Sequence, residues 1–263
     1  MNIGASSSCF YPLETELSLE TIASVGIKTT EVFFNSPSEL EKPFLKKLLK
    51  IKEEHEMDVV AVHPFMSFSE GFNFFSTYYR RFEDSLEYYK KFFEAAAALG
   101  ARYFVLHGSR GEKLIPDEEY ARRLSLFIEE GKSFGVAVTH ENVVRYSGEK
   151  PQFMLTLKRL LGDDFKMTLD LKQARRAGVS PFDFAEKLSE SIVHVHVSDE
   201  KPWEACAAPD GTGCFDFLRF FELMGSFGYN GAYMIELYRG DFLDEHHIKR
   251  CVDHLSEIAE RIL

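Results

Sequence analysis

Four residues able to hold a cation or move a proton each sit at the end of an apolar run: Glu141 after Val136–His140, Asp170 after Phe165–Leu169, His196 within Ile192–Ser198, and Glu236 after Ala232–Ile235. Three carboxylates and one imidazole suit a divalent cation such as manganese, zinc, cobalt or magnesium. Glu141 and Glu236 could also act as general acid and base. Side chains alternate along a strand, so Ile192, His194 and His196 share one face and Val193, Val195 and Val197 the other. The same alternation groups Glu236 with Met234 and Ala232, Glu141 with Thr139 and Ala137, and Asp170 with Thr168. All four ligand-type residues therefore face inward at one height. His63 and His107 close two further strands, and they read as strand caps, as a second metal position bridged by Glu141, or as donors to substrate oxygens. His194, two residues deeper, reads as a satisfied core histidine, and His140 as facing the outer helices.

Strands are expected at Asn2–Ser8, Thr29–Phe34, Val59–His63, Tyr103–His107, Val136–Glu141, Phe165–Asp170, Ile192–Ser198 and Ala232–Leu237. Helical spacing, Pro starts and Gly stops predict helices over Ser18–Val25, Pro37–Met57, Thr77–Leu99, Asp117–Phe134, Gln152–Leu161, Pro181–Ser189, Phe215–Phe227 and Asp244–Leu263. This strict alternation predicts an α/β protein with a parallel sheet covered by helices. Repeated over the chain, it favours closure into a (β/α)8 TIM barrel forming one domain over 1–263, a fold that typically needs about 250 residues. A doubly wound open sheet would usually carry a Gly-rich loop after its first strand; Ser6–Pro12 offers none. In a barrel, strand C-terminal ends meet at the mouth, where active sites are built.

The chain has 263 residues, of which 45% are hydrophobic, and a net charge of −11. That balance argues against broad nucleic-acid or membrane binding, while leaving room for a small anionic substrate held by local cations. Cys9, Cys206, Cys214 and Cys251 are scattered and read as reduced thiols. With no signal-peptide pattern in Met1–Ser6 and no apolar run of bilayer length, a cytoplasmic protein is expected.

Glu141-Asn142, Leu169-Asp170, His194 to Asp199 (His-x-His-x-x-Asp), Pro209 to Phe217 (with Gly-x-Gly-x-x-Asp-Phe) and Ile235-Glu236 carry a family resemblance over essentially the whole chain. The chain resembles the sugar phosphate isomerase/epimerase superfamily with a xylose-isomerase-like barrel. That superfamily includes ketose 3-epimerases, hydroxypyruvate isomerases, inosose dehydratases and the apurinic endonuclease IV type. The resemblance implies that Glu141, Asp170, His196 and Glu236 are metal ligands. It implies a sugar or sugar phosphate isomerase or epimerase acting through proton transfer beside a carbonyl. Two positions depart from the epimerase pattern: Gln173 stands where a His is usual, and the loop after strand seven offers Lys201 in place of an Arg. Gln173, Lys201 and Arg239 are therefore the substrate-side candidates. Lys172, Arg110 and Arg145 are further cations in loops beyond strand ends. Two other readings stand beside the isomerase. One is a metal-dependent phosphodiester hydrolase of the apurinic endonuclease type, weakened by Gln173, by Thr212 in place of a histidine, and by the acidic balance. The other is a non-catalytic, metal-containing sugar-binding protein. The aromatic segment 65–79 reads as a lid, as rim packing or as a homo-oligomer contact, and Trp203 as a sugar-stacking or core residue.

Overall fold

The structure, a computed structural model, describes residues 1–111 and 114–262. Eight parallel strands close a barrel: β1 (Asn2–Ser6), β2 (Thr29–Phe33), β3 (Asp58–His63), β4 (Tyr103–Leu106), β5 (Ala137–Glu141), β6 (Lys166–Asp170), β7 (Ile192–Val197) and, after a small hairpin, β10 (Ala232–Ile235). β10 pairs with both β7 and β1, so the ring has no free edge. The hairpin, β8 (Asp199–Lys201) with β9 (Glu204–Ala207), stands apart from it. Outside run α1 (Thr15–Ser24), α2 (Lys42–Glu54), α3 (Glu70–Asn73), α4 (Tyr79–Leu99), α5 (Asp117–Ser133), α6 (Pro151–Leu161), α7 (Leu171–Arg176), α8 (Pro181–Leu188), α9 (Phe217–Ser226) and α10 (Glu245–Glu260). The fold is the (β/α)8 barrel that the alternation predicts. The expected last residue of the final helix, Leu263, lies outside the described residues.

Differences from the expected elements have local causes. The segment Pro37–Met57 divides at Glu41, whose extended backbone (φ −82°, ψ 146°) separates a 3-10 turn from α2. The short α7 begins immediately at β6 because the Asp170 carboxylate caps it, accepting from the Gln173 amide at 2.7 Å. α4 shows why its residues form a covering helix. Tyr89, Phe92, Phe93, Ala96 and Leu99 recur at three- and four-residue spacing and are fully buried, and Gly100 ends the helix in the left-handed region at φ 73°.

The segment 65–79 is mixed. Phe74 and Phe75 are buried, and Phe75 stacks on Tyr120 with ring centroids 3.7 Å apart. The buried Arg123 guanidinium donates to the carbonyls of Phe74 and Ser76, each at 2.8 Å. Glu70 accepts from the Gly108 amide at 2.7 Å. Phe68 and Phe72 are exposed.

The barrel interior is layered. Near the strand starts, Val60, Ala232, Met234 and Tyr103 form a small apolar cluster. Above it the lumen becomes polar: Thr139 and Thr168 hydroxyls meet at 2.7 Å, and His194 reaches Glu31 at 3.0 Å. The uppermost layer holds Glu141, Asp170, His196 and Glu236. Outside the barrel, apolar and aromatic side chains fill the space beneath the helices. No helix among the described residues is long and apolar enough to cross a membrane.

Candidate functional site

The four strand-end residues meet. Glu141, Asp170, His196 and Glu236 each present one donor atom, and these atoms lie within 4.8 Å of one another. Strand register aligns His196 with both Asp170 on β6 and Met234 on β10. His196 Nδ1 is 3.5 Å from Glu141 Oε1, 3.7 Å from Asp170 Oδ2 and 3.5 Å from Glu236 Oε2.

The other nitrogen explains that orientation. His196 Nε2 lies 3.0 Å from Glu31 Oε2, which also meets His194 Nε2 at 3.0 Å, while Ser6 Oγ donates to Glu31 Oε1 at 3.1 Å. Glu31 is completely buried. Burial pushes its carboxyl upward, but the two imidazoles outweigh burial and hold it well below the ordinary range. An ionised Glu31 takes the Nε2 proton of His196 as a hydrogen bond, so Nδ1 is the nitrogen turned toward the three carboxylates. Glu31 and those carboxylates outweigh burial and raise the imidazole well above its usual range, so Nδ1 bears a proton that a bound metal would displace. His194 is the satisfied core histidine its depth predicts. His140 is likewise structural, buried between the Tyr120 hydroxyl at 2.9 Å and the Glu141 carbonyl at 3.1 Å.

Asn142 fixes the neighbouring strand. Its amide donates to the Asp170 carbonyl at 2.9 Å and its side-chain oxygen accepts from the Asp170 amide at 2.7 Å. The residue beside Glu141 thus sets the height of Asp170. The second half of the His-x-His-x-x-Asp pattern is also architectural: Asp199 accepts from the amides of Glu200 at 2.7 Å and Phe215 at 2.9 Å. A Cβ at Gly213 would overlap the Asp199 carboxyl, which is why that loop carries glycine.

Lys172, in α7, is the cation that matters here. It is 3% exposed, and its Nζ lies 2.8 Å from Glu236 Oε2 and 3.3 Å from Asp170 Oδ2. Burial works against its charge, but Asp170 and Glu236 prevail and raise its pKa well above the usual lysine value. In turn, Lys172 and His196 overcome burial and bring Glu236 down to about 2. Asp170 moves the other way, upward, because burial and the neighbouring carboxylates exceed the pull of Lys172. Glu141 is held well below its usual range, with His107, His196 and His63 outweighing burial.

Beside this group is a second one. His63 Nε2 and His107 Nε2 are 2.9 Å apart, and His107 Nε2 is 2.9 Å from Glu141 Oε2. His63 Nδ1 sits 3.2 Å from the Pro64 carbonyl, an arrangement in which Nδ1 carries the proton and the Nε2 lone pair turns inward.

A cavity of about 630 Å³ opens over both groups, lined by His63, His107, Glu141, Lys172 and Glu236 together with Ser8, Asn35, Gln173, Phe33, Phe65, Phe68, Tyr238 and Arg239. Gln173 and Arg239, two substrate-side candidates, reach this wall. Arg239 is braced there, donating to the carbonyls of Phe242 at 3.2 Å and Leu243 at 3.3 Å. Lys201 does not reach it: the residue is exposed in the β8–β9 hairpin and outside the lining. Trp203, at the turn of that hairpin, is fully exposed at 104% and fills no core. Arg110 and Arg145 also lie outside the lining.

The donor set passes a test of fit for a divalent cation. Glu141 Oε2, Asp170 Oδ2 and His196 Nδ1 are buried, and none has a hydrogen-bond partner among the described residues. The close approach of His107 to Glu141 Oε2 lacks hydrogen-bond geometry. Buried polar atoms are normally paired; these three lack hydrogen bonds, and Glu141 Oε1 and Asp170 Oδ2 lie 3.5 and 3.7 Å from His196 Nδ1, a donor grouping that matches the needs of a cation. Glu31 and the burial of Lys172 are the features that sequence reasoning missed. A lone carboxylate inside the β-rich run Thr29–Phe33 was the available signal, since a buried charge requires a partner.

Comparisons with known proteins agree with this architecture. A family model described as a xylose isomerase-like TIM barrel matches residues 19–259. The uncharacterized protein MJ1311 of Methanocaldococcus jannaschii is 25% identical over 250 residues, covering 90% of this chain and 83% of that protein. A solved D-tagatose 3-epimerase-like protein superposes over 100% of this chain and 98% of its own, with a TM-score of 0.82 and 22% identity. An IOLI protein with a binding zinc atom covers 100% and 99% at a TM-score of 0.78 and 17% identity. D-psicose 3-epimerase from Clostridium cellulolyticum H10, solved with D-tagatose, covers 100% and 99% at 0.78 and 15%. At these identities the likeness is one of fold.

Proposed function

The chain belongs to the xylose isomerase-like TIM barrel family, and on that premise we propose that it is a divalent-metal-dependent isomerase or epimerase of a sugar or sugar phosphate. The observation that carries the proposal is the convergence beneath the cavity of one donor atom each from Glu141, Asp170, His196 and Glu236, all within 4.8 Å of one another. Sugar epimerases among the structural relatives, and a zinc atom in one of them, support it.

Glu141, Asp170, His196 and Glu236 would hold the ion, which supplies Lewis-acid polarisation of a substrate carbonyl and its neighbouring hydroxyl. Glu141 ends β5 and Glu236 directly follows β10, and the two strands are separated around the ring by β6 and β7. Their low pKa values keep both ionised at neutral pH, so either can accept a proton. One takes it from the carbon beside the carbonyl, and the electron pair moves onto the carbonyl oxygen to give an enediolate. The other carboxylate, itself ionised, relays a proton from water to the opposite face and so epimerises that carbon, while the first carboxyl gives up its proton to solvent. Delivery to the adjacent carbon exchanges aldose and ketose. Ser8, Asn35 and Gln173 offer hydrogen bonds to hydroxyls, and Phe33, Phe65 and Phe68 cover apolar sugar faces and exclude water.

Deuterium wash-in tests this. Metal-loaded protein incubated with ketoses and ketose phosphates in D2O is expected to label the carbon next to the carbonyl, read by NMR. Glu236→Gln and Glu141→Gln should each lower the rate by at least about 100-fold. A complete absence of labelling across those substrates removes the isomerase reading. Retained sugar binding by an inert wild-type protein would mark a non-catalytic binder.

The His63–His107–Glu141 group specifically favours a second reading, a two-metal phosphodiester hydrolase. Two metals per chain with incision of abasic DNA would establish it in place of the first.

A further inference from the structure

We propose that Lys172 is a resident cation of the metal centre: its ammonium holds the donor set together before metal binds and competes with the metal for Asp170 and Glu236. The inference rests on the metal site proposed above, and it concerns how that site is loaded. Lys172 touches Glu236 through Oε2 and Asp170 through Oδ2. Those same two oxygens are the ones that face His196 Nδ1, at 3.5 and 3.7 Å. The lysine therefore does not brace the back of the carboxylates; it occupies the side that a metal needs. Its Nζ also lies 3.4 Å from the Glu236 carbonyl and 5.0 Å from the centre of the Tyr238 ring.

Electrostatics gives the arrangement a purpose. Glu141, Asp170 and Glu236 crowd together in a buried layer with Glu31 just below. Like charges that close repel strongly in a low-dielectric interior. A cation between two of them offsets that repulsion and keeps them aimed inward. Lys172 also lines the cavity, so its flexible stem can carry the ammonium aside when a divalent ion arrives. Loading then becomes an exchange of one cation for another within a preformed set, rather than assembly of a disordered one. The Coulomb attraction that a metal gains from these carboxylates is reduced by the positive charge it meets there.

The test is a direct Co²⁺ titration by calorimetry of full-length wild type, Lys172→Met, Lys172→Gln and Lys172→Arg, with circular dichroism and thermal melts on each. Removing the competing charge should tighten Co²⁺ binding by about tenfold or more in the Met and Gln variants. Their metal-free forms should melt lower and recover more on Co²⁺ addition than wild type does. Lys172→Arg, which keeps the charge, should bind within about threefold of wild type. Detectable binding only in the neutral variants would also support the proposal, as the limiting case of competition. Equal or weaker binding in the neutral variants overturns it while leaving the metal site standing, because a merely structural lysine would lower both forms alike. No binding by any of the four proteins overturns this inference and the metal reading together. Where the Met variant fails to fold, the Gln variant decides the outcome.

Discussion

The two nitrogens of His196 do different work, and the division depends on a residue outside the donor set. Glu31 takes Nε2, so Nδ1 is left for the centre. Glu31→Gln should weaken metal binding by about 10- to 100-fold, the usual penalty for losing an outer carboxylate behind a histidine ligand. Calorimetric titration measures it; unchanged affinity would mean that His196 does not ligate through Nδ1. Glu31→Gln and Lys172→Met therefore shift affinity in opposite directions. How much of this was legible follows from position in the strand. Glu141, Asp170, His196 and Glu236 end their apolar runs, where a charge is conspicuous and alternation gives its direction. Glu31 lies inside a strand, and its partners His194 and His196 are more than 160 residues away in sequence, so no local pattern links them. Lys172 was visible as a cation near a strand end. Its burial was not, because that depends on α7 folding back immediately from its Asp170 cap.

Among the elements, the C-terminal end of β6 is tied to the residue just beyond β5 by one side chain, in addition to its strand pairing. Asn142→Ala removes two buried hydrogen bonds to the Asp170 backbone and leaves that amide and carbonyl unpaired. A loss of about 3 kcal/mol is expected from denaturant melts, with metal affinity falling as Asp170 shifts. The loop after β9 is tied to α10 in a different way. His247 Nε2 meets Asp210 at 2.9 Å, and Thr212 donates to the same carboxylate. Burial alone would raise the Asp210 carboxyl, but Thr212 and His247 outweigh it and bring the pKa to about 2 from 3.8. The folded value lies below the unfolded one, so this contribution is fully present above about pH 4. It is lost as pH falls toward 2, when the unfolded chain binds the proton more readily. Because solvent screens this partly exposed pair, its contribution is about 1 kcal/mol or less. Acid melts of Asp210→Asn should lose that part of the slope between pH 4 and 2; an unchanged acid limb would show that the pair contributes nothing. Strand order and most helices could be read from periodicity. The β8–β9 hairpin could not, because Glu200 to Glu204 carries a lone Pro and Trp with no alternation, and its pairing is a property of the loop as folded.

For the molecule as a whole, the proposed metal centre ties stability to metal content. A ligand that binds only the folded state adds about 2.7 kcal/mol at a free concentration 100 times its Kd. Thermal melts should therefore rise with Co²⁺ or Zn²⁺ concentration in wild type and hardly move in a Glu236→Gln, Asp170→Asn double variant. A flat response in wild type would remove the metal centre. The closed ring was legible as a count of strand–helix units. What the lumen would do with its charges was not, since charge balance is set by distances between strands far apart in the chain.

The segment 65–79 carries a kinetic consequence. Its far half is anchored by Phe74, Phe75 and the grip of Arg123 on two carbonyls, while Phe68 stands free beside the cavity. Between Pro64 and the Glu70 tether, Phe65 and Met66 pack on the core, with the Phe65 ring 5.8 Å from that of Phe92, and Phe68 is the exposed ring at the rim of the cavity. Should a reaction occur beneath it, that one ring is what a departing molecule must pass. Product escape would then be timed by one side chain's excursion, and trimming Phe68 to Ala should quicken release while leaving the proton-transfer step at its original speed.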